Sequence, residues 1–98
     1  MSTTELPEWL TEEVDGSVTV SFADLKRPLK LDGTDVGSLR MREPTVQDQI
    51  TADKQHGHRG DGEVALIANL TEQSPAAIGG MSMKQYRRCQ TALEFFTG

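Results

Sequence analysis

The sequence predicts an α+β fold, a small antiparallel β-sheet followed by about three α-helices. Three observations carry that expectation. Val18, Val20 and Phe22 alternate with Ser17, Thr19 and Ser21, the period of a half-buried strand. Asp32-Gly33 separates two further apolar alternations, as the turn of a hairpin does. Beyond Pro44 the apolar residues recur at spacings of three and four, the period of helices.

Residues 1–16 are expected to form an acidic, flexible head. Glu5, Glu8, Glu12, Glu13 and Asp15 are five acids in the first fifteen residues, with no Lys or Arg among them. Leu6, Trp9, Leu10 and Val14 make a sparse helical pattern, and Pro7 suits the first turn of such a helix. An acidic strip with one Trp is able to dock on a groove. A mobile tail that binds nothing is the plainer expectation.

Residues 17–98 are expected to form a single domain. Ser17 to Phe22 is the first strand. Pro28 to Leu31 continues with Leu29 and Leu31 inward and Lys30 outward. At Asp32-Gly33 the glycine accepts a positive φ without steric cost. Val36 to Arg42 returns, with Leu39 and Met41 on one face and Ser38, Arg40 and Arg42 on the other. Together these segments make a hairpin or meander with one apolar face.

Pro44 has no N–H to give to a sheet ladder, so the strand stops there. Thr45 caps the next helix, and Asp48 three residues on completes a capping box. That helix runs from about Val46 to Gln55, with Val46, Ile50 and Ala52 inward. Residues 56–62 hold three glycines in seven positions, which marks a loop. A second helix spans roughly Glu63 to Thr71. Its Val64, Leu66, Ile67 and Leu70 form a face broad enough for two partners. Ser74-Pro75 opens a short helical turn and Gly79-Gly80 closes it. Ser82 and Gln85 form a second capping box. Tyr86, Cys89, Leu93 and Phe96 then fall on one stripe, and Phe95 adjoins it.

Ninety-eight residues allow one small domain. A chain of this size buries only somewhat more than about 60% of its unfolded surface, so its core is marginal. The net charge of −5 lies in the head, because from Gly16 onward ten acids face ten bases. Such a balance argues against nucleic acid as a partner. Lys84, Arg87 and Arg88 are too few to reverse it and read as a solvated helix face. No apolar run approaches the roughly twenty residues of a membrane span, and no signal-peptide pattern is present. A soluble protein of the host cell cytoplasm, without a membrane partner, is the expectation.

Chemistry is sparse. His56 and His58 lie two residues apart in the glycine-rich loop with Asp61 and Glu63 nearby, but a stable metal site wants three or four supported ligands. Arg59-Gly60-Asp61 matches an adhesive tripeptide only by chance. Asp32 with Asp35 is a turn pair, not a calcium loop. Cys89, the one cysteine, sits on the apolar stripe and reads as structural. No glycine run has phosphate-cradling spacing. The chain is therefore expected to be a non-enzyme, with no catalytic residue, no metal and no cofactor.

The order of elements and several short runs resemble a known family. The runs are Leu29-Lys30-Leu31-Asp32-Gly33, then Leu39-Arg40-Met41-Arg42-Glu43-Pro44-Thr45 with an acid at Asp48. After them come Ala65-Leu66-Ile67-Ala68-Asn69-Leu70 with Ser74-Pro75, and the final helix from Met81 to Phe96. From about Phe22 to Phe96 the chain is similar to the tail assembly chaperones of contractile-tailed phages and their prophages, the Mu-like group. It departs in its acidic head and in its glycine-rich loop. The resemblance implies a protein that coats the tape measure protein, is displaced as tail tube protein assembles, and is absent from the mature virion. It also implies a programmed −1 frameshift that makes a longer second product, and hence pairing with that form or a homo-oligomer. If Phe95 and Phe96 are both encoded by UUU, that run of uridines is a slippery site. On this reading the partner-binding residues are Leu66, Leu70, Tyr86, Leu93, Phe95 and Phe96; the plainer expectation is that most of them form the domain's own core. The alternative is a small structural tail or head-tail joining protein of the virion.

Overall fold

A computed structural model describes residues 6–57 and 60–97. Five short strands come first: β1 (Leu10–Glu12), β2 (Val18–Ser21), β3 (Leu29–Leu31), β4 (Thr34–Val36) and β5 (Ser38–Met41). Helices α1 (Val46–His56), α2 (Gly60–Thr71), α3 (Pro75–Gly79) and α4 (Met83–Thr97) follow. The fold is α+β, as the period-two and helical patterns required.

β2 is the centre of a three-stranded antiparallel sheet, with β1 and β5 at its edges. Register places Val18 opposite Met41 and Val20 opposite Leu39. The alternating apolar residues therefore share one face, and Val18, Val20, Phe22 and Met41 are at most 1% exposed. Each such side chain contributes about 1.5–3 kcal/mol by leaving water. β3 and β4 form a separate hairpin. Its turn residues Asp32 and Gly33 have φ of 53° and 78°, the two positive values of a tight primed turn. The return run splits at Gly37. Val36 pairs with Leu29, whereas the Gly37 carbonyl accepts from the Phe22 N–H at 2.8 Å and passes the chain to the larger sheet.

α2 packs on β5, α4 crosses β2, and α1 and α3 lie against α2. The core joins the sheet face to Ile67, Leu70, Ile78, Cys89 and Ala92. Both capping boxes form. Asp48 N–H donates to Thr45 Oγ1 at 3.1 Å and Thr45 N–H to Asp48 Oδ2 at 2.8 Å. At α4, Gln85 N–H donates to Ser82 Oγ at 3.2 Å and Ser82 N–H to Gln85 Oε1 at 2.8 Å. α2 ends in a Schellman motif, with Gln73 N–H on the Ala68 carbonyl and Glu72 N–H on that of Asn69. Glu72 takes the left-handed position, at φ 59°, where glycine is usual.

α1 runs to His56 and α2 opens at Gly60, so most of the loop expected over residues 56–62 is helical. Two further expectations are corrected. The helical pattern over Leu6, Trp9, Leu10 and Val14 is not a helix. Leu10–Glu12 instead pairs with β2 as an edge strand, Leu10 is 4% exposed, and Val14 stands in solvent. The part of the acidic head from residue 6 onward is thus joined to the sheet. Its turn back is closed by Glu13 N–H on the Ser17 carbonyl at 2.8 Å, with Gly16 at φ 90°. The second correction concerns α1. Of Val46, Ile50 and Ala52, expected inward, only Ala52 is buried; Val46 is 79% and Ile50 42% exposed. α1 meets α2 through small residues. A Cβ on Gly62 would lie 2.2 Å from the Gly57 carbonyl oxygen and 3.9 Å from that of Ala52, so bulky side chains have no room there.

Candidate partner-binding surface

The six expected partner-binding residues divide by burial. Leu66 and Leu70 are 3% and 1% exposed and belong to the domain's own core. α2 is apolar on several sides because it lies between α1, α3 and β5. Tyr86, Leu93 and Phe96 are half-buried and pack against that core. Phe95 is 37% exposed and meets Phe96 edge to face at 5.5 Å between ring centres. Of the six, Phe95 is therefore the residue that offers a free apolar surface. The sequence reading missed two other exposed sites, the Val46–Ile50 pair on α1 and Met83, which is 63% exposed at the start of α4.

The run around Pro44 is a clasp. Arg42 forks onto Asp48, with Nη1 2.7 Å from Oδ2 and Nη2 3.0 Å from Oδ1. Asn69 Nδ2 of α2 donates to the same Oδ1 at 3.3 Å. Arg42 N–H donates to the Leu70 carbonyl at 3.1 Å. One carboxylate thus joins the end of β5, the cap of α1 and the side of α2. The Arg42 hydrogen bonds and the Thr45 N–H hold the Asp48 carboxyl far below the usual carboxylate range, against the opposing push of burial. The side chains of this motif tie three elements of the domain together.

Arg88 makes a second clasp, which corrects its reading as part of a solvated face. It forks onto Asp24 at 2.7 and 2.9 Å and donates to the Ser21 carbonyl at 2.8 Å. Its guanidinium lies 4.9 Å from the Trp9 ring centre, within cation–π range. The α4 helix thereby holds both the end of β2 and the segment that leads into β1. Lower on α4, Tyr86 Oη and Gln90 Nε2 both donate to Glu63 Oε1, at 2.6 and 2.8 Å. Burial and that bond to a carboxylate push the Tyr86 phenol well above its ordinary value.

Cys89 is fully buried, and burial pushes its thiol up to about 12. Its sulfur lies 4.0 Å from Met81 Sδ. A thiol in that setting is not a nucleophile. Of the histidine pair, His58 lies outside the described residues, as does Arg59 of the adhesive tripeptide. Among the described residues no cluster of three or more His, Cys, Asp or Glu could hold a metal ion. Among the described residues no helix is long and apolar enough to cross a membrane.

What the described residues display is a small scaffold with clasped helices and isolated exposed apolar side chains. A family model described as phage tail assembly chaperone proteins, E, or 41 or 14, matches residues 23–98. The chain belongs to this family. The match takes in the β3–β4 hairpin, β5 and all four helices of the chaperone, and leaves β1 and β2 outside it. Both clasps are within it on at least one side: Arg42 and Asp48 entirely, and Arg88 with Asp24. No curated protein and no solved structure matches the chain.

Proposed function

We propose that this tail assembly chaperone binds the tape measure protein in the host cytoplasm, keeps it soluble while the tail forms, and is absent from the finished virion. It acts by binding, without catalysis. The observation that carries this reading is the family match over residues 23–98. The exposed apolar side chains support it. Phe95, backed by the half-buried Leu93 and Phe96, is the proposed centre of the contact, with Leu66, Leu70 and Tyr86 supporting it from within. Covering several hundred Å² at about 25 cal/mol per Å² gives a hold that association costs reduce to a reversible one. A hold of that size suits a protein that tail tube subunits displace.

Co-expression tests the reading. The tape measure protein is expected to stay soluble with the chaperone and to precipitate without it. Phe95→Asp is expected to weaken that protection while leaving the circular dichroism spectrum unchanged, because Phe95 lies at the surface. Mass spectrometry of purified particles supplies the second arm. The chaperone should be missing; its presence at ring-like copy number would make it a structural tail subunit.

A further inference from the structure

The chain is acidic overall, yet one stretch of its surface is basic. Lys26 and Arg27 lie between β2 and β3, and Lys84 and Arg87 lie in the first turns of α4; all four are exposed. Lys30, Arg40, Arg42 and Arg88 are each paired with a carboxylate. No ion pair joins Lys26, Arg27, Lys84 or Arg87 to a carboxylate among the described residues. Lys84 and Arg87 are three apart on one helix face and repel each other. Lys84 also stands at the helix end where the backbone dipole disfavours a cation, and no acid occupies that first turn. Asp24, the acid nearest in sequence, is committed to Arg88.

Lys26, Arg27 and Lys84, with the paired Asp24, line a groove of about 480 Å³ between the β2–β3 connection and the start of α4, and Arg87 lies one turn further along that helix. Leu25 and Met83 line it, and Met83 is 63% exposed. Met83 and Arg87 lie four apart, so the apolar floor and the basic rim share one side of α4. The walls are held in place. Gln85, itself 1% exposed, donates to the Arg27 carbonyl at 3.0 Å, and Arg88 holds Asp24 and the Ser21 carbonyl. A groove already in its bound shape costs little ordering when a ligand enters.

We propose that this groove docks an acidic segment of the partner protein, anchored by an apolar side chain on Leu25 and Met83 and steered by Lys26, Arg27, Lys84 and Arg87. The proposal rests on the tape measure reading, and the segment is then an acidic stretch of that protein. Charge complementarity selects the occupant. A basic or neutral segment leaves these cations unmatched, and none of the residues that line the groove carries an aromatic ring on which a nucleic acid could stack a base.

Short overlapping peptides that cover the tape measure protein test it, with binding followed by fluorescence anisotropy. The tightest peptides are expected to be acidic with an apolar residue among the acids. The double variant Lys26→Glu, Lys84→Glu should bind them at least about tenfold more weakly, because each change replaces attraction by repulsion. It should regain affinity when acids of the peptide are changed to lysine. Both residues are exposed, so circular dichroism should show the variant folded. Equal binding by the variant, or a preference for basic or neutral peptides, would overturn the groove and leave the chaperone reading standing. Binding of a single-stranded DNA oligonucleotide in place of peptides, lost in the variant, would also overturn it. If the wild-type protein binds no peptide but still solubilises the whole tape measure protein, the segment model fails alone. If it does neither, both readings fall.

Discussion

Helices α1 and α4 begin alike and are held differently. Each opens on a capping box, Thr45 with Asp48 and Ser82 with Gln85. α4 then buries Gln85, Cys89 and Ala92 against the sheet and the neighbouring helices, and Arg88 ties it to two further segments. α1 buries Ala52 alone among its described side chains and turns Val46 and Ile50 to solvent. Its hold on the domain is a charged clasp at one end and a close backbone approach near the other. A helix with little apolar burial opens locally at lower cost than one embedded in the core. The difference separates a frame, α4 on the sheet, from a fitted outer piece, α1 on α2.

The largest effect is expected where the outer piece meets the frame. In Gly62→Ala the new methyl would overlap the Gly57 carbonyl, which is backbone and does not swing aside. The seam must open, at a cost of about 2–3 kcal/mol. Urea denaturation measures that loss, and a loss within experimental error would show that α1 is not seated tightly. Arg88→Ala attacks the frame instead. It removes two bonds to Asp24, one to the Ser21 carbonyl and the contact with Trp9. Asp24 is largely exposed, so its share is discounted, and the whole loss is about 1–2 kcal/mol. Trp9 is the one tryptophan, so its emission reports directly on release of the β1 end and should shift to the red.

How far each region was legible follows from the range of the forces that hold it. Strand alternation and cap spacing are local, so Val18, Val20, Phe22, Thr45 and Ser82 declared their places. The clasp was visible as the run Arg42-Glu43-Pro44-Thr45, but not the fork onto Asp48 or the bond from Asn69, which need the helices in place. The α1 seam was misread because counting apolar residues weighs Val46 and Ile50 above Ala52 and Gly62, whereas close packing here selects the smallest. β1 is three residues long, too short to show a period, and pairing with β2 dictates it. In the candidate site, the broad apolar face of α2 signalled burial on several sides rather than a free surface. Phe95 lies off the stripe through Tyr86, Cys89, Leu93 and Phe96, and the fold leaves it partly exposed. The basic groove carried no local signal, because Lys26 and Lys84 meet only through the fold.

Acid sharpens the comparison. The folded Asp48 carboxyl titrates below its unfolded value of about 3.9. A depressed carboxylate contributes stability that is present above the unfolded value and is lost as pH falls through the folded one. Stability should therefore decline below about pH 4, because the unfolded chain takes up the proton that the folded Asp48 still refuses, until the contribution is gone once pH has fallen through the folded value. Asp15 and Asp24 are lowered too, but both stand in solvent and add little to the slope. Asp48→Asn should cost about 1 kcal/mol at neutral pH and flatten the acid limb. Hydrogen exchange should quicken in α1 and leave α4 unchanged. Quickening in both helices would mean that α1 is not an independent outer piece.

The smallest effect on stability is expected on the outward face of α1, and it tests the comparison most directly. Val46→Ser with Ile50→Ser removes two apolar side chains that the core does not use. Stability should change by less than about 0.5 kcal/mol, as for surface substitutions away from packed features. A loss of about 2 kcal/mol, on the scale of core truncations, would show that these side chains are packed after all and that α1 is held as α4 is. Unchanged stability leaves a second reading for the same variant. If it still protects the tape measure protein from precipitation, the contact surface is confined to α4 and the groove at its start. If protection fails while the fold stands, the outer piece carries part of the grip, and a lightly held helix becomes the part of the chaperone most easily adjusted to a partner.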